Sequence, residues 1–488
     1  MGLSEPNGSS LVADLPTIDF GVEYTPSTVN VGTLSGTDHS LEVMGVKFVR
    51  VHWVGLFGTI YCRILTLSYF CKLLKSFRPS ITVPKAVFSF VLTASAEGFS
   101  AGGEYLIVMD RSSLRLCGYA PGHASIFGFF EEKASVGGRI DVPLCPRTNL
   151  QRILNYAEEE LNTQFLVGFE TEFILLKSTN PIEVVNNYGW SETAATGTGS
   201  TELSILEEIA EALAKSGIEL QMLHSEEAPG QYEVVTGPLP PLEAADALVL
   251  IRETIYNIAR KYGLRATLAP KLHLDYCGSG AHTHISVHST TEPSPPSRIH
   301  PSILTMHEYH FLAGLMAHLH SIIAFTLPLP QSYARMQDMI WSGGTWVCWG
   351  VDHREVAVRL ANPSSPHARN FEIRAVDGTA NPYFALSGLL GAGIIGIRDG
   401  LALGVECCEE RAAAEMSEGE RAEKGITRRL PLDAESARIC LLKDTEIGKI
   451  IGEDVVEKFV TVNKKLGEVM HPKGEDPAVT VARLVETY

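Results

Sequence analysis

The stretch HSEEAPGQYE, residues 224–233, decides how the rest of the chain is read, because it gathers carboxylates around a Pro-Gly turn. Glu226 and Glu233 lie an odd number of residues apart, which on an unbroken strand would put them on opposite faces. Pro229 and Gly230 can supply a tight turn or bulge that returns both to one side. Alone, such a stretch reads as an acidic surface turn. Three further stretches change that reading, because each carries a pair at i and i+2, the spacing that shares one face of a strand. They are Glu170 and Glu172 in GFETEF, His282 and His284 in GSGAHTHISVH, and Glu372 and Arg374 in FEIR. Carboxylates with two imidazoles form an oxygen-dominated donor set that suits Mg²⁺ or Mn²⁺ better than zinc. Arg335, Arg354, Arg359, Arg369 and Arg374 outnumber the acids of their own stretch. Guanidinium binds phosphate and carboxylate bidentately, so these arginines suit anionic substrate groups. No Walker loop and no G-x-G-x-x-G fingerprint is present. The residues alone define a divalent-metal enzyme acting on phosphate and carboxylate groups.

Composition limits the alternatives. With 488 residues, 45% hydrophobic and 20% charged, the chain has room for one large domain and a smaller one. A net charge of −17 argues against nucleic acid or an anionic membrane as the main partner. Nine cysteines, without a CxxC pair or a disulfide framework, fit a reducing, cytoplasmic setting. The N-terminus has no basic region leading into an apolar core. The longest apolar run, residues 384–397, stops at Arg398-Asp399, too short to span a bilayer, and reads as a buried helix.

Residues 1–40 mix Ser, Thr, Gly, Pro and Asp, and are expected to form a mobile or loosely docked tail. VKFVRVHWV (46–54) alternates and pairs with YCRILTL as a hairpin bent near Gly58; residues 104–109 add a strand. Residues 41–147 thus form a small strand-rich domain, followed by a larger domain over 148–488. In the larger one, helices are expected at 149–161 (Asn149 as N-cap), 203–215 (stopped by Gly217), 242–262 and 307–325. Strands are expected at 166–176, 266–272, 281–288, 356–360 and 370–376, loops at 180–200 and 291–301, and a helical C-terminal region. The irregular alternation makes this α+β, not a doubly wound sheet.

In their order and wording, GFETEF, HSEEAPGQYE, the APK of 269–271, GSGAHTH, the QSYAR of 331–335, HRE (353–355), FEIR and DGTANPY (377–383) resemble the glutamine synthetase family, its bacterial-type class and eukaryotic relatives. The resemblance runs from about residue 46 to 470. It implies a β-grasp-like N-terminal domain, a catalytic domain built on a curved antiparallel sheet, and a ring-type homo-oligomer. It also implies ATP, two Mg²⁺ or Mn²⁺ sites, and transfer of an activated glutamate γ-carboxylate to ammonia or a primary amine. One metal site would use Glu172, Glu226 and Glu233, the other Glu170, His282 and Glu372. Arg335, Arg374 and Gly278 would hold glutamate, Arg354 and Arg359 the phosphates, and His284 and Ser286 the nucleotide, with Arg354 and Arg374 acting in catalysis. The sequence departs from the family at its flap, where Ile340-Trp341-Ser342 lacks the expected glutamate. Cys277 stands in place of an asparagine, and Asn370 in place of an arginine near ATP. A non-catalytic relative with a structural or regulatory role is the alternative; broken metal ligands would mark it, and none is broken.

Overall fold

The strand Thr163–Thr179 is the spine of the larger sheet in the computed structural model, which describes residues 22–34, 38–189, 196–291 and 304–488. Residues 1–21 and 35–37 of the expected tail, 190–195 of the first loop and 292–301 of the second lie outside the described residues. The spine is buried on both faces over most of its length. Its β-branched and aromatic side chains suit that position.

Nine strands make this sheet. On one side of the spine lies Gln231–Thr236, which pairs in turn with Leu220–Ser225. On the other side come Thr283–Ser289, Asn370–Ile373, Val358–Ala361 and Trp349–Val351. Ile182–Val184 and Arg265–Thr267 also pair with the spine. Every pairing is antiparallel except that of Trp349–Val351 with Val358–Ala361. The register sets Glu233 opposite Glu172, and Glu372 between His284 and Arg359. A one-residue slip would turn each of these side chains to the other face.

Helices Met306–Thr326 and Pro382–Asp399 cross closely: a Cβ at Gly314 would sit 2.2 Å from the Ala392 carbonyl oxygen. The second is the buried apolar helix expected from the sequence, capped by Asn381 and ended by Gly400 at φ +60°. Among the described residues no helix is long and apolar enough to cross a membrane.

The smaller sheet has six strands, ordered Ile60–Thr66, Phe48–Val54, His123–Val136, Glu104–Leu116, Ser80–Pro84, with Arg139–Asp141 against His123–Val136. The expected hairpin forms. The 14-residue strand His123–Val136, between the two strands that were foreseen, was not anticipated; its half HASIFGFF is apolar without alternation, a pattern shared by buried strands and helices. This sheet is locked to the larger body by Arg147, whose guanidinium donates to Asp246 at 2.8 and 3.1 Å and to Asp110 at 2.6 Å.

Two local expectations are corrected. The helix expected at 149 begins at Pro146 with Cys145 as N-cap, because a proline at the first helical position needs no N–H partner. Asn149 instead donates to the Ile451 carbonyl at 2.6 Å. The strand expected over 266–272 ends at Thr267, since Pro270 cannot donate to a ladder; its carbonyl accepts from the Ser279 N–H at 3.0 Å.

Candidate active site

Strand register and the acidic turn together fill one cavity of about 760 Å³ with the expected residues. The turn works because Leu220–Ser225 and Gln231–Thr236 form a hairpin whose connection ends at Gly230, φ +70°. Glu226 and Glu233 therefore line the same space, together with Glu170, Glu172 and His282, and with Gly278, Arg335, Arg354 and Arg374. Arg354 is exposed at this cavity, whereas Arg335 and Arg374 are buried. His284, Ser286 and Arg359 line a second cavity of about 620 Å³, and Glu170 borders both. Glu372 borders neither; it is wholly buried, with His282 Nδ1 3.6 Å from its Oε1.

The hydrogen bonds fix protonation states. Arg335 Nη2 donates to His282 Nε2 at 3.0 Å, so the proton of this imidazole sits on Nδ1, which donates to Glu170 at 2.7 Å. Burial and the Arg374 charge push His282 down to about 4, keeping it neutral. His284 bonds acceptors at both nitrogens, Glu170 at 2.9 Å and Asn370 Oδ1 at 2.8 Å, which requires an imidazolium. Burial opposes that charge, but Glu170 outweighs it and raises His284 to about 9. Burial would raise Glu170 too, yet the two imidazoles hold it well below the carboxylate range. Glu372 is likewise lowered against its burial by Arg374, with which it forms a short ion pair, and Arg359 lies 2.8 Å from its other oxygen.

The hairpin half of the cluster behaves oppositely. Burial, then Glu226, push Glu172 up to about 8; burial, then Glu170, Glu172 and Glu226, push Glu233 to about 11. Among the described residues these crowded carboxylates have no lysine or arginine ion pair, and the donor set fits divalent cations. Two triads bring one ligand atom each to within 4.8 Å of one another: Glu170, His284 and Glu372, and His224, Glu226 and Glu233. They differ from the expected sets by His284 in place of His282 and His224 in place of Glu172. Glu172 is engaged instead by the Gly280 N–H and by Gln231, both at 2.9 Å. Buried Nε groups of Arg335, Arg359 and Arg374 have no hydrogen-bond partner among the described residues, and neither do those of Arg50, Arg78 and Arg252 away from the cavity.

Glycine is required at Gly280, where a Cβ would lie 2.6 Å from Arg335 Nη2, 2.8 Å from His282 Nε2 and 2.9 Å from Glu172 Oε1. At Gly278 a Cβ would meet the Pro270 carbonyl oxygen at 2.2 Å. The flap is held through its backbone. The Glu355 carboxylate accepts from the N–H groups of Met339 and Trp341, and Arg374 donates to the Trp341 carbonyl at 2.6 Å. Trp341, 54% exposed, and Ser342 line the first cavity. The sequence did not single out Glu227, His224, Gly280 or Glu355. Glu227 also lines the first cavity; its only sequence signal was adjacency to Glu226. Cys277, beside the flap, donates its thiol to the Ile340 carbonyl at 3.0 Å, and burial, then Glu227, raise it to about 11.

Comparison with known proteins gives this geometry its class. Residues 143–474 match the family model described as glutamine synthetase, catalytic domain. The chain belongs to the glutamine synthetase family. It is 33% identical over 429 residues to protein fluG of Emericella nidulans, covering 86% of this chain but 46% of that one, so it spans about half of that relative's length. It is 30% identical to type-1 glutamine synthetase 1 of Dictyostelium discoideum, over 73% of this chain and 75% of the relative. It is 30% identical to the gamma-glutamylpolyamine synthetase GlnA3 of Streptomyces coelicolor, over 68% and 71%. Two solved structures share the fold: a GmaS/ADP complex (TM-score 0.74, 22% identity, covering 89% of this chain and 96% of that one) and a novel glutamine synthase homolog (0.75, 24%, 91% and 99%).

Proposed function

We propose that the chain is an ATP-dependent ligase that activates the γ-carboxylate of glutamate and transfers it to a primary organic amine in preference to ammonia. The observation that carries this is the shared position of Glu170. A cavity holding acids and arginines meets, at that residue, a second cavity lined by His284, Ser286 and Arg359. Arg335 and Arg374 would hold the glutamate carboxylate, with Gly278 leaving room for Arg335 beside it. Arg354 and Arg359 would face the phosphates, and His284 and Ser286 the nucleoside side. The γ-carboxylate oxygen attacks the terminal phosphorus of ATP and ADP leaves; the amine nitrogen then attacks the acyl carbon, phosphate leaves, and the nitrogen gives up a proton. Divalent cations held by Glu172, Glu226 and Glu233, and by Glu170, His282 and Glu372, would offset the charge of the phosphates.

The cavity supports an organic acceptor. Trp341, Leu203 and Leu223 give it apolar wall, and the flap carries no carboxylate of its own. A relative named gamma-glutamylpolyamine synthetase supports an organic acceptor within the family. The exposed apolar side chains Phe48, Ile64 and Phe77 of the smaller domain support the further proposal that it packs against a neighbouring subunit in a ring. The test is ADP release with glutamate and Mg²⁺ against ammonium, methylamine, ethanolamine and putrescine, with product masses. Glutamate-dependent ADP release with an organic amine, and a product heavier by that amine, is expected. No glutamate-dependent release with any amine would leave the non-catalytic alternative standing.

A further inference from the structure

The second cavity is bordered in part by residues N-terminal to the 143–474 match. Segment 22–34 is fastened at its far end. The Leu34 N–H donates to the Leu114 carbonyl at 2.8 Å, and Gly32 abuts Gly217 so closely that a Cβ there would sit 2.1 Å from the Gly217 oxygen. At its near end it reaches both sides of the cavity. Tyr24 donates its hydroxyl to Glu219 at 2.6 Å and accepts from Gln221 Nε2 at 2.6 Å, while Glu23 lies 3.3 Å from His367 Nδ1. Val22, Tyr24, Glu219, Gln221 and His367 all line the cavity.

Register places these contacts relative to the chemistry. Glu170 is opposite Val235, and Val235 is opposite Met222, the neighbour of Gln221. Met222 therefore stands about two strand spacings, roughly 10 Å, across the sheet from Glu170, and Tyr24 lies at the outer end of that span, on the Gln221 side chain. A nucleotide with its phosphates beside Glu170 and Arg359 would extend along that span with its base towards Tyr24. The Tyr24 ring is half-buried, and its hydroxyl is pinned from two directions, so its orientation is set before any ligand arrives.

We propose that segment 22–34 is a strap across the mouth of this cavity, with Tyr24 contacting the base of the bound nucleotide. This rests on the cavity being the nucleotide site. A base stacked on an aromatic ring gains affinity irrespective of which base it is, and a strap that contacts the ligand is held down by it in equal measure.

The test uses the full chain with Mg²⁺ and two probes, ADP and pyrophosphate, with binding measured calorimetrically for the parent, Tyr24→Ala and Tyr24→Phe. ADP affinity should fall about tenfold in Tyr24→Ala, within the range expected of a lost base–aromatic contact, and less than threefold in Tyr24→Phe. Pyrophosphate affinity should stay the same in all three. ADP should also slow proteolytic cleavage within residues 22–34 in the parent, and less so in Tyr24→Ala. Equal ADP affinity in Tyr24→Ala and parent overturns the inference while leaving the nucleotide site intact. Equal losses for ADP and pyrophosphate overturn it as well, because they report a general disturbance of the cavity. Absence of ADP binding by the parent would overturn the nucleotide site itself and this inference with it.

Discussion

Replacing Trp341 by Glu tests the acceptor directly. The backbone there is fixed from both sides, by Glu355 on the Trp341 N–H and by Arg374 on its carbonyl, so the side chain can change without moving the flap. A tryptophan presents up to about 250 Å². At 54% exposed, Trp341 keeps somewhat over half of that uncovered. If an amine's carbon chain covers about 60 Å² of it, the gain is about 1.5 kcal/mol, or roughly tenfold in kcat/KM. Glutamate forfeits that contact and adds a charge. An ammonium about 4 Å away at an effective dielectric near 20 gains about 4 kcal/mol before desolvation. Solvent at this half-exposed position reduces that to about 1–2 kcal/mol, or fivefold to thirtyfold. A primary amine is protonated at neutral pH and feels the same charge, so the ratio of kcat/KM for ammonium to that for a primary amine should rise about tenfold in Trp341→Glu, from the lost apolar contact alone. Ser342 is the wrong place for the same charge: it is buried, and its hydroxyl donates to the Gln337 carbonyl at 3.1 Å, so Ser342→Glu should depress both substrates. Steady-state kinetics with both substrates decides the matter. A parent that already favours ammonium, or a ratio in Trp341→Glu within threefold of the parent's, would refute the reasoning.

Gly280→Ala should weaken Mn²⁺ binding and lower turnover by about a hundredfold while the fold survives, because its methyl must displace Arg335, His282 or Glu172 by a good fraction of an ångström; Mn²⁺ affinity equal to the parent's would show that these side chains yield freely. Arg147→Met leaves the buried Asp246 carboxylate, among the described residues, with only the Tyr383 hydroxyl at 2.6 Å, and should cost about 3–5 kcal/mol, seen as a lower denaturant midpoint; an unchanged midpoint would mean that the small sheet is held elsewhere. His52 is held down to about 3 by burial and Arg50, and bonds Ser125 at 2.8 Å. The folded state therefore refuses a proton that the unfolded chain accepts below about 6.5, and stability falls by about 1.4 kcal/mol per pH unit as pH drops from there towards 3. His52→Gln should flatten that acid slope by one proton, and parallel slopes for the two proteins would contradict it.

What the sequence showed was set by spacing, and what it hid was set by register. Glu170 with Glu172, and Glu226 with Glu233 across a Pro-Gly turn, could be placed on common faces because strand period and turn chemistry are local. That Glu233 would stand opposite Glu172, and Glu372 between His284 and Arg359, depends on which strands pair, which no local spacing specifies. The same limit explains His224. It faces Glu233 in the hairpin register and comes within 3.5 Å of Glu226, yet in the sequence it is one more histidine at a strand end. Glu355 was hidden for another reason. Its work is to accept two backbone N–H groups of a loop, and that has no periodic signature.

The charge pattern separates the two halves of the cluster. Glu372 is neutralised within the protein by Arg359 and Arg374, and Glu170 by the His284 imidazolium, with a further hydrogen bond from neutral His282. Among the described residues no lysine or arginine forms an ion pair with Glu172, Glu226 or Glu233, and the carboxyls of Glu172 and Glu233 are driven upward by burial and by one another. Proteins rarely bury carboxylates together without a compensating partner, because each charge raises the cost of the next. The strongest unmet demand for a cation therefore falls on the side of the cluster that HSEEAPGQYE builds. The guanidinium groups of Arg335, Arg354 and Arg374 line the same cavity and offer positive charge to an anion there. A substrate carrying both carboxylate and phosphate, delivered with a divalent cation, meets both demands at once. Neither a cation alone nor an anion alone does so, which is the electrostatic reason for expecting the two to bind cooperatively.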